Sequence, residues 1–293
     1  MKLISANTKL VGLIGMPLGQ TFSPRLHNEA YLGLGLDYFY FPIELADFSA
    51  LPKLLAGLRL MNFGGMAVTK PYKVEILKHL DDIDENAKMI GSVNTIQIIA
   101  GKWKGYNTDG IGAVTSLRQE IGELAGRKYL SFGSGGCARA VCFELAKAGA
   151  AKIVLTDIHE GSHELSGEIN RFFPGLAKGI IAGNPAGDAA IEAAVKDSDV
   201  LINNSGLGMQ PHLDETPLPK NWIQSRHICF DAIYNPLQTR FLADAAAQGC
   251  QTINGLDMCK YQGTAQVELW TGRTGSEKFM HETLAAIMKE KGA

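Results

Sequence analysis

Residues 128–138 read Lys128-Tyr129-Leu130-Ser131-Phe132-Gly133-Ser134-Gly135-Gly136-Cys137-Ala138. The apolar run Lys128–Phe132 has the composition of a buried strand, and Cys137–Ala148 has that of a helix stopped by Gly149. The turn joining them fits Gly-x-Gly-x-x-Ala. In that pattern Gly133 permits the tight turn, Gly135 lets a pyrophosphate approach the backbone, and Ala138 lets helix and strand pack closely. The unpaired N–H groups at the helix start then attract phosphate. Gly133, Ser134, Gly135, Gly136 and Cys137 are therefore expected to bind a dinucleotide. A glycine turn without a ligand is the competing reading.

Downstream, strand-like runs alternate with helical ones. Lys152–Thr156, Ile180–Ala182, Val200–Asn203, Ile228–Ala232 and Thr252–Ile253 read as strands. A stretch after Ser162, Asp188–Val195 and Thr239–Gln248 read as helices. Such β-α-β repetition predicts a parallel sheet wound on both faces. Asp157 ends the second strand, 24 positions after Gly133, near the roughly 20 expected of an acid on the ribose hydroxyls. A carboxylate there repels the extra phosphate of NADP, and Ile158-His159-Glu160 supplies no arginine to offset it. The expectation is NAD, with NADP disfavoured. Asp157 as a mere helix cap is the alternative.

Upstream, Lys9–Ile14, Tyr38–Pro42 and Gly65–Val68 read as strands, and Val93–Ile99 with Lys102–Tyr106 as a hairpin around Ala100-Gly101. Helices are expected from Ser23 to about Gly33, from Asp47 or Ser49 to about Leu60, and over Tyr72–Leu80. The first has Ser23 as N-cap and Pro24 at its first position. An acidic turn is expected at Asp81–Asp84. This mixture predicts an α/β unit built on a mixed sheet, followed by a Rossmann-type unit. The boundary is placed at residues 109 and 110: 1–109 for the first unit and 110–261 for the second. Residues 262–293 are mostly helical.

The first unit carries the polar groups. Thr21 and Ser23 stand two positions apart ahead of a helix, where hydroxyls can receive an anion. Lys73 follows Pro71 and would fall in the first helical turn, which disfavours its cation and suits acid–base work. A solvated surface lysine explains the same residue. Asn94 and Asp109 frame the hairpin and can point to one sheet edge. Asp109 is also readable as the cap of helix Gly110–Ile121.

Composition bounds the rest. The chain has 293 residues, 46% hydrophobic and 20% charged, with net charge -2. Two ordinary domains fit that length. No basic stripe points to nucleic acid and no run of about 18 apolar residues points to a membrane. The first ten residues lack a signal-peptide core. Five cysteines in no metal-ligand spacing predict buried thiols in a reducing cytoplasm and no metal.

Taken in order, the motifs resemble the shikimate dehydrogenase family. They are Gly15-Met16-Pro17, Ser23-Pro24 with His27-Asn28, Val68-Thr69 with Pro71 and Lys73, Val93-Asn94-Thr95, Gly105-Tyr106-Asn107-Thr108-Asp109-Gly110 and the glycine turn. Asp231-Ala232-Ile233-Tyr234-Asn235-Pro236-Leu237, Asn254-Gly255-Leu256-Asp257-Met258 and Gln262-Gly263 complete the set. The resemblance implies a substrate unit and a Rossmann unit, with residues 262–293 packing back on the former. It implies a soluble cytoplasmic oxidoreductase, monomeric or homodimeric, acting on a cyclic hydroxy carboxylic acid such as shikimate or quinate. Lys73 and Asp109 would handle the reacting hydroxyl. Thr21 and Ser23 would hold the carboxylate, and Thr69, Asn94, Tyr234 and Gln262 would contact the substrate. Gly255 and Met258 would line the nicotinamide pocket, with Ala232 nearby. The chain departs at Thr21 (Ser in the family), at Ala67 (commonly Asn) and at Asp157-Ile158-His159, where an arginine loop is usual. Those departures keep open an aminoshikimate-like substrate. A non-catalytic NAD-binding regulator on the same fold is the remaining alternative.

Overall fold

The computed structural model describes residues 4–61 and 63–291. The start of the stretch read for a leader and the last two residues of the tail lie outside them. The chain divides into two compact units, residues 1–108 with 260–293, and residues 109–259.

The first unit opens with β1 (Lys9–Gly15), α1 (Ser23–Gly33), β2 (Tyr38–Glu44), α2 (Leu51–Leu58) and β3 (Phe63–Val68). It continues with β4 (Asp82–Ile83), α3 (Glu85–Ile90), β5 (Thr95–Ile99) and β6 (Lys102–Tyr106). The strands form one mixed sheet in the order β2-β1-β3-β5-β6-β4. β1 pairs parallel with β2 and β3, while β5 runs antiparallel to both β3 and β6. Leu51, Leu55 and Leu58 recur at helical spacing on α2 and are buried in a core with Ile14, Met66 and Trp103. Each such side chain contributes about 1.5–3 kcal/mol by leaving water.

His27 and Asn28 dock α1. The Asn28 carboxamide donates to Tyr40 O and accepts from Tyr40 N, both at 2.8 Å. It thereby occupies backbone groups of β2, an edge strand. His27 is fully buried and stacks on the Tyr40 ring at 4.3 Å.

Three local expectations change. The helix expected over Tyr72–Leu80 is a single 3-10 stretch, Glu75–His79, preceded by turns. The acidic turn at Asp81–Asp84 contains the short strand β4, and Asp84 caps α3 by accepting from Asn86 N. At α1 the cap position is Phe22, so Ser23 is the first helical residue and Pro24 follows it. Ser23 N instead donates to Thr21 Oγ1 at 3.2 Å.

The second unit comprises α4 (Asp109–Ile121), β7 (Lys128–Phe132), α5 (Gly136–Lys147), β8 (Lys152–Asp157) and α6 (Gly161–Phe172). It continues with β9 (Ala177–Ile181), α7 (Pro185–Asp197), β10 (Val200–Asn203), β11 (Ile228–Asp231), α8 (Arg240–Ala247) and β12 (Gln251–Ile253). All its strands are parallel, in the order β12-β11-β10-β7-β8-β9. The order reverses direction between β7 and β10, the topological switch point at which doubly wound sheets bind ligands. Leu130, Phe132, Val154, Leu201, Cys229 and Phe241 fill one core of this unit.

Two helices close the chain, α9 (Leu256–Thr271) and α10 (Ser276–Lys291). From Lys260 on they belong to the first unit. Trp270 Nε1 donates to Ile96 O at 3.0 Å, and α10 packs along α1. Among the described residues no helix is long and apolar enough to cross a membrane. Cys142, Cys229 and Cys259 are buried thiols, whereas Cys137 and Cys250 are only partly so.

Candidate active site

In the first unit the polar residues gather at one end of the sheet. β1 and β3 run parallel, so their carboxyl ends are neighbours, and antiparallel β5 starts beside them. Thr69 N donates to Ile14 O, and Met16 N donates to Lys70 O. These bonds tie the segment after β1 to the segment carrying Lys73. Val93 N donates to Lys73 O at 2.8 Å, and Val68 N donates to Asn94 O at 2.8 Å. Lys73 is partly buried within this frame. Burial and the neighbouring Lys73 ammonium both lower the pKa of Lys70. Lys73 thus adds to the positive potential at Lys70, three positions away, and lies in a turn rather than at a helix end.

Thr21 Oγ1 donates to Ser23 Oγ at 3.1 Å. Ser23 therefore keeps its own O–H for another acceptor. Asn94 is buried, and its Oδ1 accepts from Thr108 N at 2.9 Å while its Nδ2 donates to Thr108 Oγ1 at 2.9 Å. The amide thus grips the residue immediately before Asp109. Asp109 is buried and is itself the first residue of α4. A carboxylate in a helix's first turn is favourably placed against the helix dipole.

Sequence reasoning missed Gln266. It is buried one turn beyond Gln262; its side-chain amide meets His27 Nε2 at 3.1 Å and Thr95 Oγ1 at 3.0 Å. Thr95 Oγ1 in turn donates to Asn94 Oδ1 at 2.7 Å, and His27 Nδ1 lies 2.8 Å from Ser23 O. A continuous chain of hydrogen bonds therefore links the Ser23 backbone to Asn94. The only hint in the sequence was a lone glutamine at helical spacing from Gln262.

In the second unit the glycine turn lies at the end of β7, at the switch point. Gly133 has φ +98°, and a Cβ there would stand 2.9 Å from Ser205 Cα, so only glycine fits. Gly135 occupies the cap position of α5 and has no side chain with which to cap it. No side chain caps α5, and a helix start after such a turn fits a pyrophosphate. Cys137 Sγ donates to Asn204 Oδ1 at 3.4 Å, and Asn204 Nδ2 donates to Ser131 Oγ. The segment after β10, Asn203-Asn204-Ser205, thus packs on the turn. Its double asparagine after a buried strand was the available signal.

At the end of β11, Ala232 N donates to Asn203 O, and Gly255 N donates to Ile233 O at 3.0 Å. Gly255 lies against Ala232, where a Cβ would come within 2.3 Å of Ala232 O. Met258, one turn into α9, is buried. The structure thus brings Ala232 and Gly255 together, with Tyr234 partly exposed in the loop that follows Ala232.

A doubly wound parallel sheet with a glycine turn at its switch point defines a Rossmann-type nucleotide-binding fold, here in a chain with a second, mixed-sheet unit. Comparison with known proteins narrows the class. Residues 13–96 match the shikimate dehydrogenase substrate binding domain. A relative from Methanococcus maripaludis strain S2, named shikimate dehydrogenase (NADP(+)), is 42% identical over 92% of this chain and 94% of its own. Another from Moorella thermoacetica, with the same name, is 40% identical over 97% and 95%. A crystal structure of a shikimate dehydrogenase in complex with NADP+ superposes with TM-score 0.87 at 36% identity, covering 97% of both chains. The chain belongs to the shikimate dehydrogenase family.

These relatives overturn the expectation of NAD, since the well-covered ones are named for NADP(+). The structure shows why the charge argument failed. It took the Asp157 carboxylate to face the ribose. Instead, Asp157 Oδ2 accepts from both Ser134 N at 3.0 Å and Ser134 Oγ at 2.6 Å, and Oδ1 accepts from Ile158 N at 2.7 Å. The carboxylate is spent on closing the glycine turn. Nor does it cap α6, whose cap position is Glu160.

Proposed function

We propose that this chain interconverts shikimate and 3-dehydroshikimate, with NADP as hydride carrier. One observation carries the proposal: relatives of that name match along more than nine-tenths of the chain, at 42% and 40% identity. The polar groups of each unit support it. The uncapped start of α5 and the glycine turn receive the pyrophosphate. Held there, NADP would supply the hydride acceptor or donor for the ring carbon. Lys73 takes the hydroxyl proton on oxidation and returns it on reduction. The Asp109 carboxylate steadies the positive charge that Lys73 then carries. The remaining O–H of Ser23 donates to the carboxylate, the Thr21 hydroxyl turns to it from Ser23 when substrate enters, and Thr69, Asn94, Tyr234 and Gln262 contact the ring substituents. Acid–base assistance of this kind supplies about 10²–10⁴ in rate, and orientation of the bound pair supplies more.

Initial rates with shikimate and quinate, each with NADP and NAD, test the proposal. Shikimate with NADP is expected to be the fastest of the four pairs. Absence of turnover with shikimate overturns it. Quinate or an aminoshikimate-like acid is the second reading, favoured by one feature. Ala67, buried near the carboxyl end of β3, is a methyl where an amide is usual in the family, and it leaves a ring substituent unread.

A further inference from the structure

The carboxylate of Asp231 is fully buried at the carboxyl end of β11, next to the switch-point strand β10. Four bonds from three donors converge on it. Asn203 Nδ2 lies 3.2 and 3.1 Å from its two oxygens, Ile233 N donates to Oδ1 at 2.9 Å, and Thr239 Oγ1 donates to Oδ2 at 2.6 Å. Burying a carboxylate away from water costs several kcal/mol unless such donors repay it. Burial pushes its pKa up to about 6 even with these donors in place. A group kept at such a cost calls for a purpose beyond packing.

The donors show what is being held. Thr239 caps α8 by accepting from Leu242 N at 3.3 Å. The bond from Thr239 to Asp231 therefore closes residues 232–238 into a loop pinned at both feet. Tyr234 lies within that loop. The far side of the carboxylate is held by Asn203, whose Nδ2 also donates to Leu207 O at 2.8 Å and whose Oδ1 accepts from Ser205 N and Ser205 Oγ. One amide thus shapes the segment after β10 while gripping Asp231. At the other end of that segment Gly208, at φ +102°, lies so near Thr239 that a Cβ would sit 2.8 Å from Thr239 Cβ. Ala232 and Gly255 are fixed to the same frame through Asn203 O and Ile233 O.

We infer that Asp231 is a positioning residue: with Thr239 and Asn203 it fixes the loop that presents Tyr234 to the substrate. The inference rests on the proposed function for the identity of the substrate, but the clasp has a readout of its own. Thr239→Val removes the donor to Asp231 and the helix cap together. Thr239→Ser keeps both. Asp231→Asn keeps the shape but turns an N–H toward one of the present donors.

The experiment is a kinetic double-mutant cycle on the full chain, combining Thr239→Val with Tyr234→Phe, with amide hydrogen exchange on residues 232–238. If the clasp acts through Tyr234, Thr239→Val raises KM for shikimate about tenfold and KM for NADP less than twofold. In the Tyr234→Phe background the same change then has little further effect on KM for shikimate. Thr239→Ser restores wild-type values, and exchange in residues 232–238 speeds up in Thr239→Val only. Asp231→Asn, if Thr239→Val does not fold, is expected to give the same pattern. Fully additive effects in the cycle overturn the inference, as does lowered thermal stability with both KM values unchanged. A wild-type enzyme silent on shikimate fails the functional reading instead. In that case the exchange experiment alone decides the clasp, and unchanged exchange in both variants overturns it.

Discussion

Ser134 gives both its backbone N–H and its hydroxyl to one oxygen of Asp157. The residue that decides cofactor charge in many dinucleotide folds is here part of the turn proposed to receive the phosphates. If this turn receives NADP as proposed, a carboxylate so close to it opposes the extra phosphate by about 0.5–1 kcal/mol across a wet surface. Asp157→Asn is therefore expected to lower KM for NADP by about two- to fivefold, with kcat nearly unchanged. Steady-state kinetics over a range of NADP concentrations checks this, and a raised KM would mean that the carboxylate matters more as a clasp than as a charge.

Lys73→Ala removes the proposed proton acceptor. It is expected to lower kcat by about 10²–10⁴, leaving NADP binding measured by fluorescence titration within twofold. Lys73→Arg is not expected to restore the rate, because guanidinium does not give up its proton near neutral pH. Near-normal turnover in Lys73→Ala would remove this residue from the mechanism.

Asn94→Ala leaves the buried Thr108 N–H and hydroxyl without their partner. Each unsatisfied group costs about 1–3 kcal/mol, so urea unfolding should show a loss of about 2–4 kcal/mol. Asn94→Asp keeps an acceptor for Thr108 N and is expected to lose less. Equal stability of all three proteins would show that the grip on Thr108 is unimportant.

Two buried groups, one in each unit, respond to acid in opposite directions. Burial lowers the pKa of His27 to about 4. An unfolded histidine binds a proton below about 6.5, so stability from neutral His27 is complete above that pH and drains as pH falls toward 4. The total is about 3 kcal/mol. Asp231 is pushed up to about 6, so its folded form gains a proton first. Its contribution is complete below the unfolded carboxyl's pKa and is lost as pH rises through 6, about 3 kcal/mol in total. Between pH 6 and 4 the contribution of His27 falls while that of Asp231 rises, so around His27 the first unit should weaken more than the second does around Asp231. Hydrogen exchange resolved by unit at pH 7 and pH 5 checks this. His27→Gln should flatten the response of the first unit alone.

The sequence was most informative where a function is written in consecutive residues. The turn at Gly133–Gly136 is such a case: its spacing, strand and helix are all local, and the doubly wound sheet followed from it. The mixed sheet of the first unit was also legible, because its hairpin turns on adjacent residues. β4 and α3 went unseen, since two strand residues and six helical ones carry no period. The helix drawn through Lys73 was a longer misreading. Tyr72 and Ile76 have helical spacing, but Tyr72 OH is drawn to Leu45 O at 2.6 Å and the segment stays a turn until Glu75. Asp157 and Asp231 show the deeper limit. Which donors meet a carboxylate depends on residues 23 and 28 positions away in sequence, and no local pattern records that.

The first unit is made of two separated stretches of chain, whereas residues 109–259 form the second without interruption. A ribosome therefore releases everything needed for the second unit before it releases the helices that complete the first. During that interval the surface later covered by Trp270, Gln266 and α10 is open on the nascent chain, with His27 and Tyr40 among the residues waiting to be sealed. Synthesis of this protein thus has a built-in vulnerable period, and a pause or premature stop near residue 260 would yield a finished nucleotide-binding unit attached to an unfinished, adhesive partner.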